Sequence, residues 1–487
     1  MVFSSAIYLF AFFPAAYAVY RLTPGIRAKN AVLLCVSLVF YCFGGLTRAP
    51  VLLASIFVNW GAGRVLGAWD KAKKPARRAV MTLTAALNVG LLVVCKYLGF
   101  FAETLNALTG LSLPVPSIAL PLGVSFFTFT GLGYVIEVYR RPSNVSRNLI
   151  DTALYIALFP TILSGPILSW KSTAPQLRER ICTPEKTARG LRRFVLGLSK
   201  KLLIADVVGA FVDAVYAGAA VDARAAWLGA LGYAVQIYFD FSGYTDMALG
   251  VAAVFGFELP ENFSQPYTAI GMTDFWKRWH ISLTTWFRNY LYMPIVMAKP
   301  QQRLYKKWAA KHGRPTANRL AILIPSAVVW LLTGLWHGAA WSFVLWGLWH
   351  GLFCVLEGVG VIRTDGLAKS RGGRAVLRMY TIAVILVGTV LFRAESLAQA
   401  GSMLAAMAAG WRFTAAGTLL LQRSLTGLVV FCLAAGIVGC LPVVPWLRAH
   451  TGRWGEPASY AVCAALLALC VMSIAANGFQ PFIYLQF

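Results

Sequence analysis

The feature that most limits what this chain can fold into is a run of about 20 nearly uncharged residues, the length an α-helix needs to cross a bilayer, repeated from one end to the other. Such runs lie near 5–20, 31–46, 50–69, 79–101, 118–139, 149–168, 194–217, 226–255, 319–335, 341–361, 376–392, 425–446 and 459–477. Lipid offers no water to backbone N–H and C=O groups, so a crossing segment must bond internally, as a helix does. The expectation is an all-α integral membrane protein with about eleven to thirteen membrane-embedded helices, re-entrant segments included. Composition agrees: 59% of the 487 residues are hydrophobic and 13% are charged, against roughly 25% charged in soluble domains. No long polar linker divides the chain, so 1–487 is expected to form a single integral domain.

A net charge of +26 would suit a nucleic-acid partner, but the basic residues fall in short connections between apolar runs. The bias of Lys and Arg toward the cytoplasm explains them better, and no nucleic acid is expected. The basic connections at 21–29, 64–78, 140–147, 171–201, 277–319 and 363–378 are therefore expected inside, with the N-terminus outside. Strict alternation fails only at 149–168, which has basic connections on both sides. Pro160 and the Ser164-Gly165-Pro166 break predict a re-entrant hairpin there, because broken backbone at membrane depth survives only against protein or a water-filled cavity. The longest polar stretch, 296–319, reads as a cytoplasmic loop or short helices. It serves either as an anchor or to attract an anionic donor or lipid head. The first apolar run lacks the positive flank of a secretory signal and is expected to stay as a span. Nine scattered cysteines, with no Cys-x-x-Cys pair, read as small buried hydrophobes.

Three stretches carry groups capable of chemistry. In "DFWKRWHISLTTWFRNYLYMP", 274–294, Trp276, Trp279, Leu283 and Trp286 recur at helical period, with Lys277, Arg278 and Arg288 off the stripe. One helix in the cytoplasmic interface is expected, tryptophans inward. His280 shares its buried face, either bonded to a backbone carbonyl or acting at the mouth of a cavity. "GLWHGAAWSFVLWGLWHG", 334–351, holds Gly-Leu-Trp-His-Gly twice, thirteen residues apart; nothing recurs at a longer period, so the doubling is a coincidence or a packing device. In one continuous helix, about 100° per residue would put His337 and His350 on nearly opposite sides. Gly338-Ala339-Ala340 predicts instead a helix end at His337 and a new span from Trp341. A general base acting on a hydroxyl needs a pKa near ambient pH and access to substrate. His337, at a break, meets both conditions, whereas His350, inside the apolar run from Trp346 to Phe353, is read as a packed, hydrogen-bonded core residue.

"YFDFSGYTDMALG" places Asp240 and Asp246, with Ser242, in an apolar run around Gly243, able to orient a histidine or hold a cation. Glu137, Asp206 and Asp213 can be absorbed by Arg140, Arg141, Lys200 and Lys201. There is no His-Glu-x-x-His and no Gly-x-x-x-x-Gly-Lys, so neither a metal site nor nucleotide hydrolysis is expected.

Together, "MVFSSAIYLFAFFP" at the start, "LPLGVSFFTFTGLGYVIEVYR" at 120–140, "ALFPTILSGPI" at 157–167, "GLSKKLLIAD" at 197–206 and "QIYFDFSGYTDMALG" at 236–250 form one pattern. "ENFSQPYTAIGMTDFWKRWHISLTTWFRNYLYMP" at 261–294, "LTGLWHGAAWSFVLWGLWHG" at 332–351 and the terminal "PFIYLQF" complete it. The pattern resembles the membrane-bound O-acyltransferase (MBOAT) family, in its bacterial branch of alginate O-acetylation type, with teichoic-acid D-alanylation as a near relative. The resemblance implies a thin membrane core with a central tunnel, an acyl thioester used on the cytoplasmic side and an acceptor outside. It implies that His337, in Leu-Trp-His-Gly, is catalytic and that His280, in Arg-Trp-His, is the second polar site of the tunnel. Trp336, Trp276, Trp279, Asp240, Ser242, Asp246 and Asn262 are the tunnel- or substrate-lining candidates. One departure stands out: alginate-type relatives usually read Arg-Asp-Tyr-Leu-Tyr-Ile-Pro-Leu-Gly-Gly where this chain has Arg288-Asn289-Tyr290-Leu291-Tyr292-Met293-Pro294-Ile295-Val296-Met297.

The function expected is that of a multi-pass O-acyltransferase of the bacterial cytoplasmic (inner) membrane. It would move an acyl group, acetyl first, from acetyl-CoA or another acyl thioester toward hydroxyls of an extracytoplasmic polysaccharide, with no bound cofactor. Trp336, His280 and backbone N–H groups are candidates to polarise the thioester carbonyl. Relatives usually work with a separate periplasmic or cell-surface acyltransferase, and no soluble domain is visible here, so such a partner is expected. The rivals are D-alanyl transfer from a carrier protein docked on 171–201 and 296–319, peptidoglycan O-acetylation, a scaffold with replaceable histidines, and a multi-span transporter. Many transporters show paired hydropathy repeats with matching broken helices, which this sequence lacks.

Overall fold

The computed structural model describes residues 1–69, 73–116, 118–218, 221–410, 413–443, 446, 450, 452, 455–477 and 480–483. The last four residues of the terminal motif lie outside the described residues. Among the described residues the regular structure is helical, without strands. Contacts gather the chain into two compact units. The first takes Met1–Leu198, Tyr244–Pro260 and the described residues from Ile474 on; the second takes the described residues of Ser199–Gly243 and Glu261–Ser473.

Among the described residues, five helices are long and apolar enough to cross a membrane: Leu46–Ala68, Lys74–Thr109, Lys299–His337, Arg371–Arg393 and Gly455–Ala476. Ala415–Ser424 and Gly427–Gly439, bent by 81°, make a sixth if they are one span. The remaining apolar runs do not reach that standard singly. The expected eleven to thirteen segments are therefore not eleven to thirteen long spans among the described residues.

The first unit holds α1 (Ile26–Cys42), α2 (Ala49–Ala68, within the first of these spans), α3 (Val124–Arg140) and α4 (Leu149–Ala157); α1 and α3 have 17 residues each and α4 has 9. Where the sequence predicts a re-entrant break, α4 stops at Ala157 and the chain continues through buried turns that include Phe159, Ile162 and Leu163. Those turns find their bonds in protein, as backbone away from water must. Phe159 N–H donates to Ser37 Oγ of α1 at 3.1 Å, and the Tyr155 hydroxyl donates to the Leu168 carbonyl at 2.8 Å.

The second unit holds α5 (Met272–Arg278), α6 (Ile281–Phe287), α7 (Leu323–His337), α8 (Trp341–Gly358) and α9 (Arg371–Arg393). The break expected after His337 is present, and α7 and α8 form a hairpin across residues 338–340. The doubled pentapeptide is what lets them close. A Cβ on Gly334 would stand 2.5 Å from the Phe343 carbonyl oxygen, one on Gly347 2.5 Å from the Trp330 carbonyl oxygen, and one on Gly351 2.6 Å from the Trp330 ring. A Cβ on Gly338 would enter the Phe343 ring. The repeat is a packing device: four positions where no side chain fits.

Overpacking a close crossing typically costs about 1–3 kcal/mol. Gly347→Val is expected to lower the unfolding temperature of the purified protein, whereas Gly366→Ala, where an added Cβ meets nothing within 4 Å, leaves it unchanged or slightly raised. Thermal unfolding in detergent measures both.

Candidate active site

Residues 274–294 do not form the single helix that the tryptophan stripe predicts. α5 stops at Arg278, Trp279 is extended, and His280 takes φ 46° and ψ 52°, in the left-handed region, before α6 begins. That conformation costs a non-glycine residue roughly 1–2 kcal/mol, and Asn262 holds it. The Asn262 carbonyl accepts from Ile281 N–H at 3.0 Å. Its side-chain Oδ1 accepts from Ser282 N–H at 3.1 Å and from the Ser282 hydroxyl at 2.9 Å. Ser264 N–H donates to the Arg278 carbonyl at 2.9 Å, closing the clamp from the other side of the break. The start of α5 is pinned too. Glu357 of α8 accepts from the N–H groups of Met272 and Thr273 at 2.6 and 2.8 Å, and Thr381 of α9 accepts from Gly271 N–H at 2.8 Å.

The clamp also sets a protonation pattern. A backbone N–H can only donate, so the Asn262 atom facing Ser282 is its oxygen. His280 Nδ1 lies 3.1 Å from that same oxygen and must carry the hydrogen, which leaves Nε2 with the lone pair in the neutral ring. His280 is fully buried and lies outside the spanning helices. Burial pushes its imidazole down to about 3, since desolvation disfavours the charged form. Its partner is thus a side chain eighteen residues upstream, in place of the backbone carbonyl expected.

From His280 a chain of rings runs through the unit. Phe241 meets the His280 ring edge-on at 4.8 Å, and Trp336 lies 5.8 Å from it. Trp336 is 4.7 Å from His337, His337 is 4.6 Å from Trp346, and Trp346 is 5.1 Å from His350. Phe392 of α9 packs on His337 at 5.3 Å. His280 and His337 therefore both neighbour a single indole, that of Trp336. His350 lies beyond Trp346, with Trp276 at 5.3 Å. On α9, Gly388 leaves room for it: a Cβ there would stand 2.5 Å from His350 Nε2. His350 is packed, as expected, but its Nδ1 has no hydrogen-bond partner among the described residues, which corrects the hydrogen-bonded reading. The helical-wheel separation of His337 and His350 also falls away, because the hairpin folds both against Trp346.

The other candidates are placed apart. Once the helix breaks, Trp279 leaves the face of Trp276 and packs on Phe263 at 5.0 Å and Phe275 at 5.6 Å. Trp276 joins Trp330 and Trp346 at 4.9 and 5.7 Å. Asp240 is buried against Lys201 at 2.8 Å, and Lys201 also meets Asp206 at 2.7 Å. Ser242 accepts from Lys200 at 3.3 Å. Asp246 belongs to the first unit, where Arg193 pairs with it at 2.9 Å. Sequence reasoning missed Ser282, Phe241, Trp346 and Phe392; only the break at His280 gives Ser282 a role, and the ring partners carry no local signal.

Comparison with known proteins identifies the family. Residues 142–310, which include Asn262 and His280, match the model of MBOAT, the membrane-bound O-acyltransferase family. Over the whole of both chains the protein is 34% identical to a protein of Pseudomonas putida named "Probable alginate O-acetylase AlgI". The chain belongs to the membrane-bound O-acyltransferase family. It is an O-acyltransferase and a multi-pass membrane protein. It is also 31% identical to the "Peptidoglycan O-acetyltransferase" of Helicobacter pylori, over 71% of this chain and 68% of that one. Over 46% of this chain and 55% of the other, it is 31% identical to the "Teichoic acid D-alanyltransferase" of Bacillus subtilis.

The pH dependence of His280 follows from its burial. An imidazole that titrates near 6.5 when unfolded and about 3 when folded contributes stability that is complete above pH 6.5 and declines as the pH falls toward 3. The decline reaches about 1.4 kcal/mol per pH unit. His280→Gln is expected to show a smaller drop in unfolding temperature between pH 7 and pH 5 than the wild type; equal drops would refute a neutral buried ring.

Proposed function

We propose that this O-acyltransferase moves an acyl group, acetyl in the first instance, from a cytoplasmic thioester such as acetyl-CoA to hydroxyls of an extracytoplasmic polysaccharide, with His337 as general base. The observation that carries the reading is that His280 and His337 both neighbour the Trp336 indole. The chain that holds this pair has relatives named for O-acetylation of alginate and of peptidoglycan. The setting is the bacterial inner membrane, and a separate periplasmic or surface acyltransferase completes delivery to the polymer.

In this reading the acceptor hydroxyl oxygen bonds to the thioester carbonyl carbon while its proton passes to the His337 imidazole. The carbon–sulfur bond then breaks, the sulfur takes the proton, and ester and thiol are the products. His280 has a different part. Its Nδ1–H is committed to Asn262, so the neutral ring offers Nε2 as an acceptor and cannot donate to a carbonyl oxygen. His280 Nε2 therefore accepts a hydrogen bond from the S–H of the departing thiol, and the Trp336 indole N–H is the donor for the developing oxyanion. The second reading, D-alanyl transfer from a carrier protein, draws on the teichoic-acid relative and on Asn289 where alginate-type relatives usually carry Asp.

The test is acyl transfer in lipid with radiolabelled acetyl-CoA, the native glycan and its partner. His337→Ala is expected to lower transfer by about 10²-fold or more, while His350→Ala stays within a few-fold of wild type, both eluting as folded protein. Undiminished transfer by His337→Ala would overturn the mechanism. A wild type inert toward acetyl-CoA but active with a D-alanyl carrier would select the second reading.

A further inference from the structure

Away from the histidines, the first unit contains a cavity of about 970 Å³. It is walled by the start of α1, by residues 142–148 and by the helix Trp170–Arg178. Its charged lining is Arg27, Arg147, Arg178 and a lone acid, Asp151, a surplus of two positive charges (three minus one). All three arginines are exposed. None of their side chains makes an ion pair or hydrogen bond among the described residues. Asp151 is already engaged, since Asn30 donates to its Oδ1 at 2.9 Å, and Arg180 in turn donates to Asn30 at 2.7 Å. Three guanidinium groups around one concavity repel each other unless an anion joins them, and their planar forks match the oxygens of a phosphate. The N-terminus of α4, capped by Asn148, opens on the same wall and favours negative charge there.

The level of the cavity narrows the ligand. Gly67, at the end of the spanning helix Leu46–Ala68, lines it, and a spanning helix ends where lipid headgroups lie. Ile26, Val145 and Leu177 add apolar wall beside the arginines. The arginines come from connections that the positive-inside rule assigns to the cytoplasm, facing the anionic leaflet. We propose that this cavity binds a phosphate group, and that the phosphate belongs to the head of an anionic phospholipid. The site is independent of the acyl-transfer reading.

The experiment uses the full chain in nanodiscs of phosphatidylcholine with and without phosphatidylglycerol, counting retained lipid by native mass spectrometry and following unfolding temperature. The wild type is expected to retain phosphatidylglycerol and to unfold at a higher temperature when it is present. The triple variant Arg27→Gln, Arg147→Gln, Arg178→Gln is expected to bind it at least tenfold more weakly. Arg178→Lys, which keeps the charge and loses the fork, falls between them. A variant that loses the same charge elsewhere, Arg363→Gln, Lys369→Gln, Arg371→Gln, at exposed positions outside the cavity, should bind as the wild type does. Equal retention by the wild type and a triple variant that elutes as folded protein would overturn the site, as would an equal loss in the charge-matched control. Displacement of the lipid by millimolar inorganic phosphate, with the same stabilisation in phosphatidylcholine alone, would keep the phosphate site and overturn the lipid as its source.

Discussion

One amide oxygen organises the second unit. Asn262 Oδ1 takes the Ser282 N–H, the Ser282 hydroxyl and His280 Nδ1, and the Asn262 carbonyl takes Ile281 N–H. The left-handed turn at His280 would otherwise leave buried donors without partners, at roughly 1–3 kcal/mol each. Because these bonds are made, the chain can break a helix beneath the surface of a membrane protein and still bury the ring it turns inward. The same oxygen dictates which nitrogen of that ring is basic, so backbone geometry and acid–base chemistry have one origin.

The opposite side of the site depends on the absence of side chains. Gly334, Gly338, Gly347 and Gly351 let α7 and α8 approach until backbone meets backbone and ring. That approach carries His337 of α7 to Trp346 of α8. Gly388 serves His350 in the same way from α9. The two copies of Gly-Leu-Trp-His-Gly thus share a packing role, yet their histidines differ in surroundings. His337 is flanked by Trp336 beside the second histidine, while His350 is enclosed among Trp276, Trp346 and the space that Gly388 leaves.

Ionisable groups in the apolar runs are mostly resolved by pairing. Lys201 stands between Asp240 and Asp206 in the second unit, and Arg193 meets Asp246 in the first. Buried charges persist where such partners exist, so these acids describe how the helices are held. The arginines of the first unit's cavity differ because no carboxylate is given to them.

Periodicity and composition determined the class. Runs of apolar residues in lipid admit only helices, and the Gly338-Ala339-Ala340 stop fixed where α7 ends and α8 starts, because such local signals act over a few residues. The motif pattern was enough to indicate the family, since it extends along nearly the whole chain. The break at His280 was invisible because Trp276, Trp279, Leu283 and Trp286 keep a helical period straight through it; nothing local competes with that stripe. What overrides it is Asn262, eighteen residues upstream and joined to it only by folding. Of the ring partners, Trp336 beside His337 and Trp346 four residues before His350 are local, whereas Phe392 of α9 and Trp276 of α5 come only with folding. Local sequence determined which segments are helical and where the hairpin turns; tertiary structure alone decided which nitrogen of His280 carries the proton and which histidine shares an indole with it, because both depend on atoms brought together across long separations in the chain.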